Sequence, residues 1–227
     1  MNLIKNLAMT SALSSMNRYA QTSLCRPESV LEHMGHVCMF ALIIGNEINR
    51  IVSDEHEARE PIIDIAVLMS KATCHDLDEI VTGEVPRTTK YFDEQTRDMF
   101  RKIALDGIVR VINELGYNHE NGVGFEIFRS WLNAKQGREG CIVVLADLNA
   151  VIYKIWDEVL LRHNHTMVTH AIKIQEQLRL ATSIVKTNFE SYPSAHRSLE
   201  ELIQEMTSIA MEAATYDRPI YGTFHKR

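Results

Sequence analysis

The apolar residues Val30, Met34, Val37, Ala41, Ile44 and Ile48 recur at three- and four-residue steps, the spacing that gathers side chains onto one face of an α-helix. A stripe of that length has to be buried against other helices. The polar run 53–60 ends it, and Pro61 is placed to open a second helix whose inward residues are Ile62, Ile65, Ala66 and Met69. Residues 82–86, with Gly83 and Pro86, read as a loop. Residues 93–115 are charged but periodic, with Met99, Ile103, Ile108, Val111 and Leu115 inward and Gly116 as the stop. A short helix over 125–134, a turn over 137–140, an apolar helix over 141–162 and helices over 167–189 and 199–214 follow. With only 10 Gly and 5 Pro in 227 residues, the chain lacks the turn residues that many short strands require, so an all-α fold is expected.

An apolar fraction of 45% supplies one substantial core, and no repeat, low-complexity tract or linker divides residues 1–227, so a single domain is expected. No apolar run is long enough to span a membrane, and a net charge of −6 gives no general attraction to nucleic-acid phosphates; neither partner is expected. Thr10, Ser11, Ser14 and Ser15 interrupt the N-terminal apolar residues too early for a signal peptide. Cys25, Cys38, Cys74 and Cys141 form no CxxC pair, which reads as reduced thiols and a cytoplasmic location.

Two features carry chemistry. His75-Asp76-Leu77-Asp78-Glu79 holds one imidazole and three carboxyls at the end of an apolar helix. Asp147 has Val143, Val144, Ala150 and Val151 as its helical neighbours, and a carboxylate on such a stripe costs several kcal/mol, on the order of the usual desolvation penalty, unless a cation faces it. That cation is either an arginine in a structural pair or a metal. His33, beside Val30 and Val37, taken alone reads as a core histidine. Converged from three separate helices, His33, His75, Asp76 and Asp147 form an N2O2 set suited to Mn, Co, Fe or Zn.

Asn17-Arg18-Tyr19, then Arg26-Pro27-Glu28-Ser29-Val30-Leu31-Glu32-His33, the run from His75 through Thr82-Gly83-Glu84-Val85-Pro86, Lys90-Tyr91-Phe92, and Ala146-Asp147 resemble the ordered motifs of HD-domain phosphohydrolases. The nearest resemblance is to the bacterial 5′-deoxynucleotidase subfamily. It implies an HD-domain helical bundle with a metal site at its centre, motifs within 17–147 and additional C-terminal helices over 148–214. It implies that His33, His75, Asp76 and Asp147 hold a divalent ion (Co, Mn, Zn, Fe or Mg), that Glu79 is the catalytic carboxylate and that Arg18 contacts the phosphate. The implied reaction is hydrolysis of deoxyribonucleoside 5′-monophosphates, and the implied assembly a homodimer. Three positions depart from the subfamily pattern: Tyr19 stands where Trp is associated with excluding a 2′ hydroxyl, Glu84 where Asp is associated with the sugar, and Asp78 where a small polar residue is usual. Tyr19, Glu84 and Lys90 are the expected substrate contacts beside Arg18.

Two other functions compete: a triphosphohydrolase on the same site, which needs a denser basic surface than this chain shows, and a nucleotide-binding module without turnover, which has no need of Glu79. Glu32 is expected to be solvated, His36 to be a boundary residue, and His163, His165 and His170 to lie on a surface segment, their spacings matching no common helical face. Arg87, Lys90 and Arg97 read either as a cationic rim or as an ordinary charged helix start. Trp131 and Trp156 need no functional explanation.

Overall fold

A computed structural model describes residues 3–83, 85, 87–90 and 92–216. Glu84 and Pro86, and the polar tail beyond Tyr216, lie outside these residues. The helices are α1 (Leu3–Ser15), α2 (Val30–Asp54), α3 (Ile65–Cys74), α4 (Glu79–Thr82), α5 (Arg87–Lys90), α6 (Glu94–Glu114), α7 (Gly122–Leu132), α8 (Gly137–Ile155), α9 (Val168–Phe189) and α10 (Pro193–Thr215). Among the described residues there is no strand; the only bridge pairs Asn17 with Ser29.

Local chemistry fixes where the site-bearing helices start. Ser29 caps α2 by accepting from the Glu32 N–H at 3.1 Å, and Glu32 accepts from the Ser29 N–H at 2.8 Å, a reciprocal box that makes Glu32 a capping residue rather than a merely solvated one. His33 follows directly, on the buried side of the first turn.

The helix expected at Pro61 begins only at Ile65. Asn49 holds both backbone groups of Ile63, donating to its carbonyl and accepting from its N–H at 2.9 Å, which keeps 61–64 out of the helix, and Asp64 caps α3 through the Val67 N–H at 3.0 Å. The buried face moves accordingly to Leu68 and Ala72, and Ala66 is exposed.

On α6 the inward residues are Ala104, Ile108, Val111 and Ile112; Met99 and Ile103, expected inside, are 50% and 41% exposed because they sit one helical position off that stripe. The expected turn at 137–140 is the first turn of α8. A Cβ on Gly140 would stand 2.5 Å from the carbonyl carbon of Lys135, so glycine there serves a close chain crossing instead of a helix break. The expected helix over 141–162 ends as α-helix at Ile155 and continues as a π-helical turn, Trp156–Leu161. Proline opens α10 at Pro193, six residues before the expected start.

Two apolar clusters result. The larger joins α2, α3, α8, α9 and α10 around Val37, Leu68, Ile142, Leu145, Ile152, Leu178 and Phe189. The smaller joins Leu13, Val30, Met34, Leu77, Ile108 and Ile112. His33 lies between Val30 and Met34 on one side and Val37 on the other, so the candidate site sits at the seam where the two clusters meet.

Candidate active site

α2, the end of α3 and the middle of α8 bring His33, His75 and Asp147 together, with one ligand atom from each lying within 4.8 Å of the others. His33 Nε2 is 3.2 Å from Asp147 Oδ1 and 3.7 Å from Asp76 Oδ2, and His75 Nε2 is 3.0 Å from Asp76 Oδ2. The ring of His75 is oriented by its own helix: Nδ1 donates to the Ala72 carbonyl at 2.7 Å, which leaves the Nε2 lone pair facing the carboxylates. Both Nε2 atoms are buried, and neither makes an aligned hydrogen bond despite the nearby acids. Two imidazole lone pairs of that kind beside carboxylate oxygens fit a borderline-hard divalent cation.

The electrostatics are those of a site built for charge. Burial pushes His33 below its ordinary pKa, and Arg18 adds to the effect. Burial also disfavours charge on His75, but the adjacent Asp76 outweighs it and moves the group upward. Burial opposes ionisation of Asp147 as well, yet Lys135, His33 and His75 together hold its carboxyl well below the usual range. Asp76 is held down in the same way, chiefly by His75.

Arg18 and Tyr19 lie on a loop, residues 16–29, whose two ends are tied together: the Arg18 N–H donates to Glu28 O at 2.8 Å and the Val30 N–H to Met16 O at 2.9 Å. The guanidinium is largely buried, 3.8 Å from Glu28 Oε2, and its charge acts on Asp147 and Asp76. Tyr19 has φ +58, a left-handed backbone that costs a bulky residue about 1–3 kcal/mol. Its ring lies 5.2 Å from the Arg18 carbon and makes an edge contact with His170 at 5.2 Å.

The far end of this loop is gripped by the π-helical turn. Glu158, fully buried, accepts from the Cys25 and Arg26 N–H groups at 2.8 Å each and pairs with Lys154 at 3.1 Å, while Lys154 donates to the Arg26 carbonyl. π-Helical turns concentrate at functional sites, and this one aims an acid at the loop that carries Arg18 and Tyr19.

Asp78, the acidic departure, does not face the ligand cluster. It is buried and accepts from Trp131 Nε1 at 2.8 Å; burial raises its pKa, opposed by that bond and by the charge of Lys90. Trp131 therefore has a role beside the His75 segment that composition did not reveal. Glu79 stands on the first turn of α4, its N–H bonded to Asp76 O at 3.1 Å. His36 stays outside the cluster, 3.4 Å from Glu28 Oε1. His163 and His165 pack on Tyr216, and Arg97 pairs with Glu94 at 3.3 Å. An open groove of about 1200 Å³ between α3 and α7 contains none of the four ligand candidates.

The side chain paired with Asp147 is a lysine, Lys135, whose Nζ is 3.3 Å from Asp147 Oδ2, and the Arg18 charge acts on the same carboxylate. Lys135 lies on the turn before α8, where no periodicity marks it. Glu28 lies within the 26–33 motif but carries no role there, and Glu158 lies in no motif, although a Glu four residues after Lys154 in an apolar helix is the kind of pair that signals a buried contact.

The sequence profile of the 5′-deoxynucleotidase YfbR-like family matches residues 5–191, more than half of the chain. The chain belongs to the YfbR-like family. It is 29% identical to 5′-deoxynucleotidase YfbR of Salmonella arizonae over 206 residues, covering 87% of this chain and 95% of that one, and 28% identical to the Salmonella typhi protein over the same length. Two solved structures share the fold. An HD-domain phosphohydrolase of Listeria innocua superposes with a TM-score of 0.62 at 19% identity, covering 96% of this chain and 100% of that one. The PH0347 protein of Pyrococcus horikoshii superposes at 0.63 and 16% identity, covering 91% and 99%. The all-α HD bundle is thus the fold of this YfbR-like protein, and no helix among the described residues is long and apolar enough to cross a membrane.

Proposed function

We propose that this YfbR-like protein hydrolyses deoxyribonucleoside 5′-monophosphates to deoxynucleoside and phosphate, with a divalent ion held by His33, His75, Asp76 and Asp147. The observation that carries the reading is the pair of buried, inward-facing imidazole nitrogens beside two carboxylates, with a largely buried guanidinium whose charge reaches both acids. When bound, such an ion supplies Lewis acidity toward phosphoryl oxygens and lowers the pKa of water. Arg18 offers a planar fork of donors to the phosphate oxygens, and Glu28 holds it in place. Glu79, one turn beyond Asp76, orients the attacking water and passes a proton toward the departing 5′ oxygen. Tyr19, locked by its backbone and its two ring contacts, is the candidate for reading the sugar, with Glu84 and Lys90 as further contacts.

Residues 1–227 act as one unit in this reading, in the cytoplasm. The exposed apolar side chains Met39, Leu42 and Ile43 of α2 suit the homodimer. The test is product analysis with purified protein supplied with Mn or Co. Orthophosphate from dAMP, abolished by chelator and exceeding that from AMP, is the expected result. Tripolyphosphate from dATP, or nucleotide binding without turnover, would replace the reading with one of its two rivals.

A further inference from the structure

The proposed reaction brings a phosphate dianion to a site that already holds acids: Asp76 and Asp147 in the cluster, with Glu79 one turn beyond Asp76. Arg18 answers this charge from the 16–29 loop. On the other side of Asp147 stands Lys135. Asp147 divides its oxygens, Oδ1 toward His33 Nε2 at 3.2 Å and Oδ2 toward Lys135 Nζ at 3.3 Å, so the ammonium sits at the outer oxygen of a candidate ligand.

The lysine's position is built. Gly140 has no Cβ to strike the backbone of Lys135, which lets the turn lie directly on α8. Lys71 Nζ donates to the Gln136 carbonyl at 2.7 Å and pins the next residue. Gly137 has φ +71, a conformation that releases the chain into the helix just after the turn. The Lys135 side chain is 53% exposed, unlike the largely buried Arg18, and therefore meets whatever enters from solvent. The pair is open at its lysine end and largely covered at its carboxylate end, 53% and 24% exposed, so the ammonium that balances Asp147 also faces solvent.

We propose that Lys135 is the second phosphate-binding cation of the site, donating to a substrate phosphate oxygen from the Oδ2 side of Asp147 while Arg18 donates from the loop. This rests on the phosphomonoesterase reading and deepens it. An ammonium has three rotatable donors on a flexible stem, so contact with Asp147 is compatible with contact to an arriving oxygen. The two cations divide the site between them: Arg18 acts on His33, Asp76 and Asp147, Lys135 on His75 and Asp147.

The test uses metal-loaded protein, with Lys135→Met, Lys135→Arg and wild type compared in three measurements: KM and kcat for dAMP, the affinity for inorganic phosphate by calorimetry, and the metal affinity of chelator-stripped protein. The expected result for Lys135→Met is a loss of about tenfold in phosphate affinity, on the order of one charged contact. A parallel rise in KM is expected, with metal affinity within about threefold of wild type, and Lys135→Arg recovering most of the loss. Unchanged phosphate affinity in Lys135→Met overturns the proposal. So does a tenfold loss of metal affinity with phosphate affinity per bound metal intact, since that outcome makes Lys135 a support for Asp147 alone. Wild-type protein that binds phosphate but does not turn over dAMP sinks the activity reading, while the calorimetric comparison still judges Lys135.

Discussion

Asp147 and Glu79 are both acids near one candidate ion, yet their surroundings assign them different work. Asp147 is wedged against His33 and Lys135 and kept ionised, so its removal leaves Asp76 as the one carboxylate beside the two buried imidazoles. Glu79 lies on a short helical turn after the ligand candidates His75 and Asp76, with its side chain partly exposed. Asp147→Asn is therefore expected to lose metal and activity together, and Glu79→Gln to keep metal while kcat falls by about 10²–10⁴, the usual worth of a proton-handling group. Metal content by atomic absorption, run beside kinetics, checks this; equal metal loss in both variants would contradict the division. Asp147 was legible in the sequence because an acid on an apolar stripe is a physical anomaly that demands a partner. Lys135 was not, since it approaches Asp147 through a turn whose geometry depends on Gly140, and neither residue breaks any pattern on its own.

At the scale of elements, helix periods located most of the bundle, and the errors have local causes. Pro61 looked like a helix start because nothing in the sequence says that Asn49 will capture Ile63. The end of α8 looked continuous because a π-helical turn keeps the same apolar content as an α-helix. That turn matters to the site through Glu158. Burial raises the pKa of this acid, but hydrogen bonds from Asn164, Cys25, Arg26 and Lys154 outweigh it and bring the group from 4.5 down to about 2. A depressed folded-state pKa means stabilisation that is complete above about 4.5 and lost as pH falls toward about 2. Glu158→Gln should then be about 3–5 kcal/mol less stable than wild type near neutral pH, because it strands Lys154 and one loop N–H. The gap between the two proteins should shrink across that acid window. Urea unfolding of both proteins at several pH values measures the gap; one that stays constant with pH would show that the Glu158 charge is not what grips the 16–29 loop.

For the whole molecule, the candidate ion lies at the seam between the two apolar clusters and draws its ligands from α2, α3 and α8, which are far apart in the chain. Unfolding separates all three, so the unfolded chain offers no preformed site and binding energy becomes folding energy. Metal at about a hundred times its dissociation constant should add roughly 2.7 kcal/mol. For a chain of 227 residues this corresponds to a rise in Tm of roughly 5–10 °C. The rise should be reversed by chelator and absent in Asp147→Asn. His33→Ala should abolish it as well, although this residue lies 114 positions from Asp147, because the same ion must join both helices. A metal-induced rise of equal size in Asp147→Asn would place the ion elsewhere, and with it the chemistry assigned to the seam.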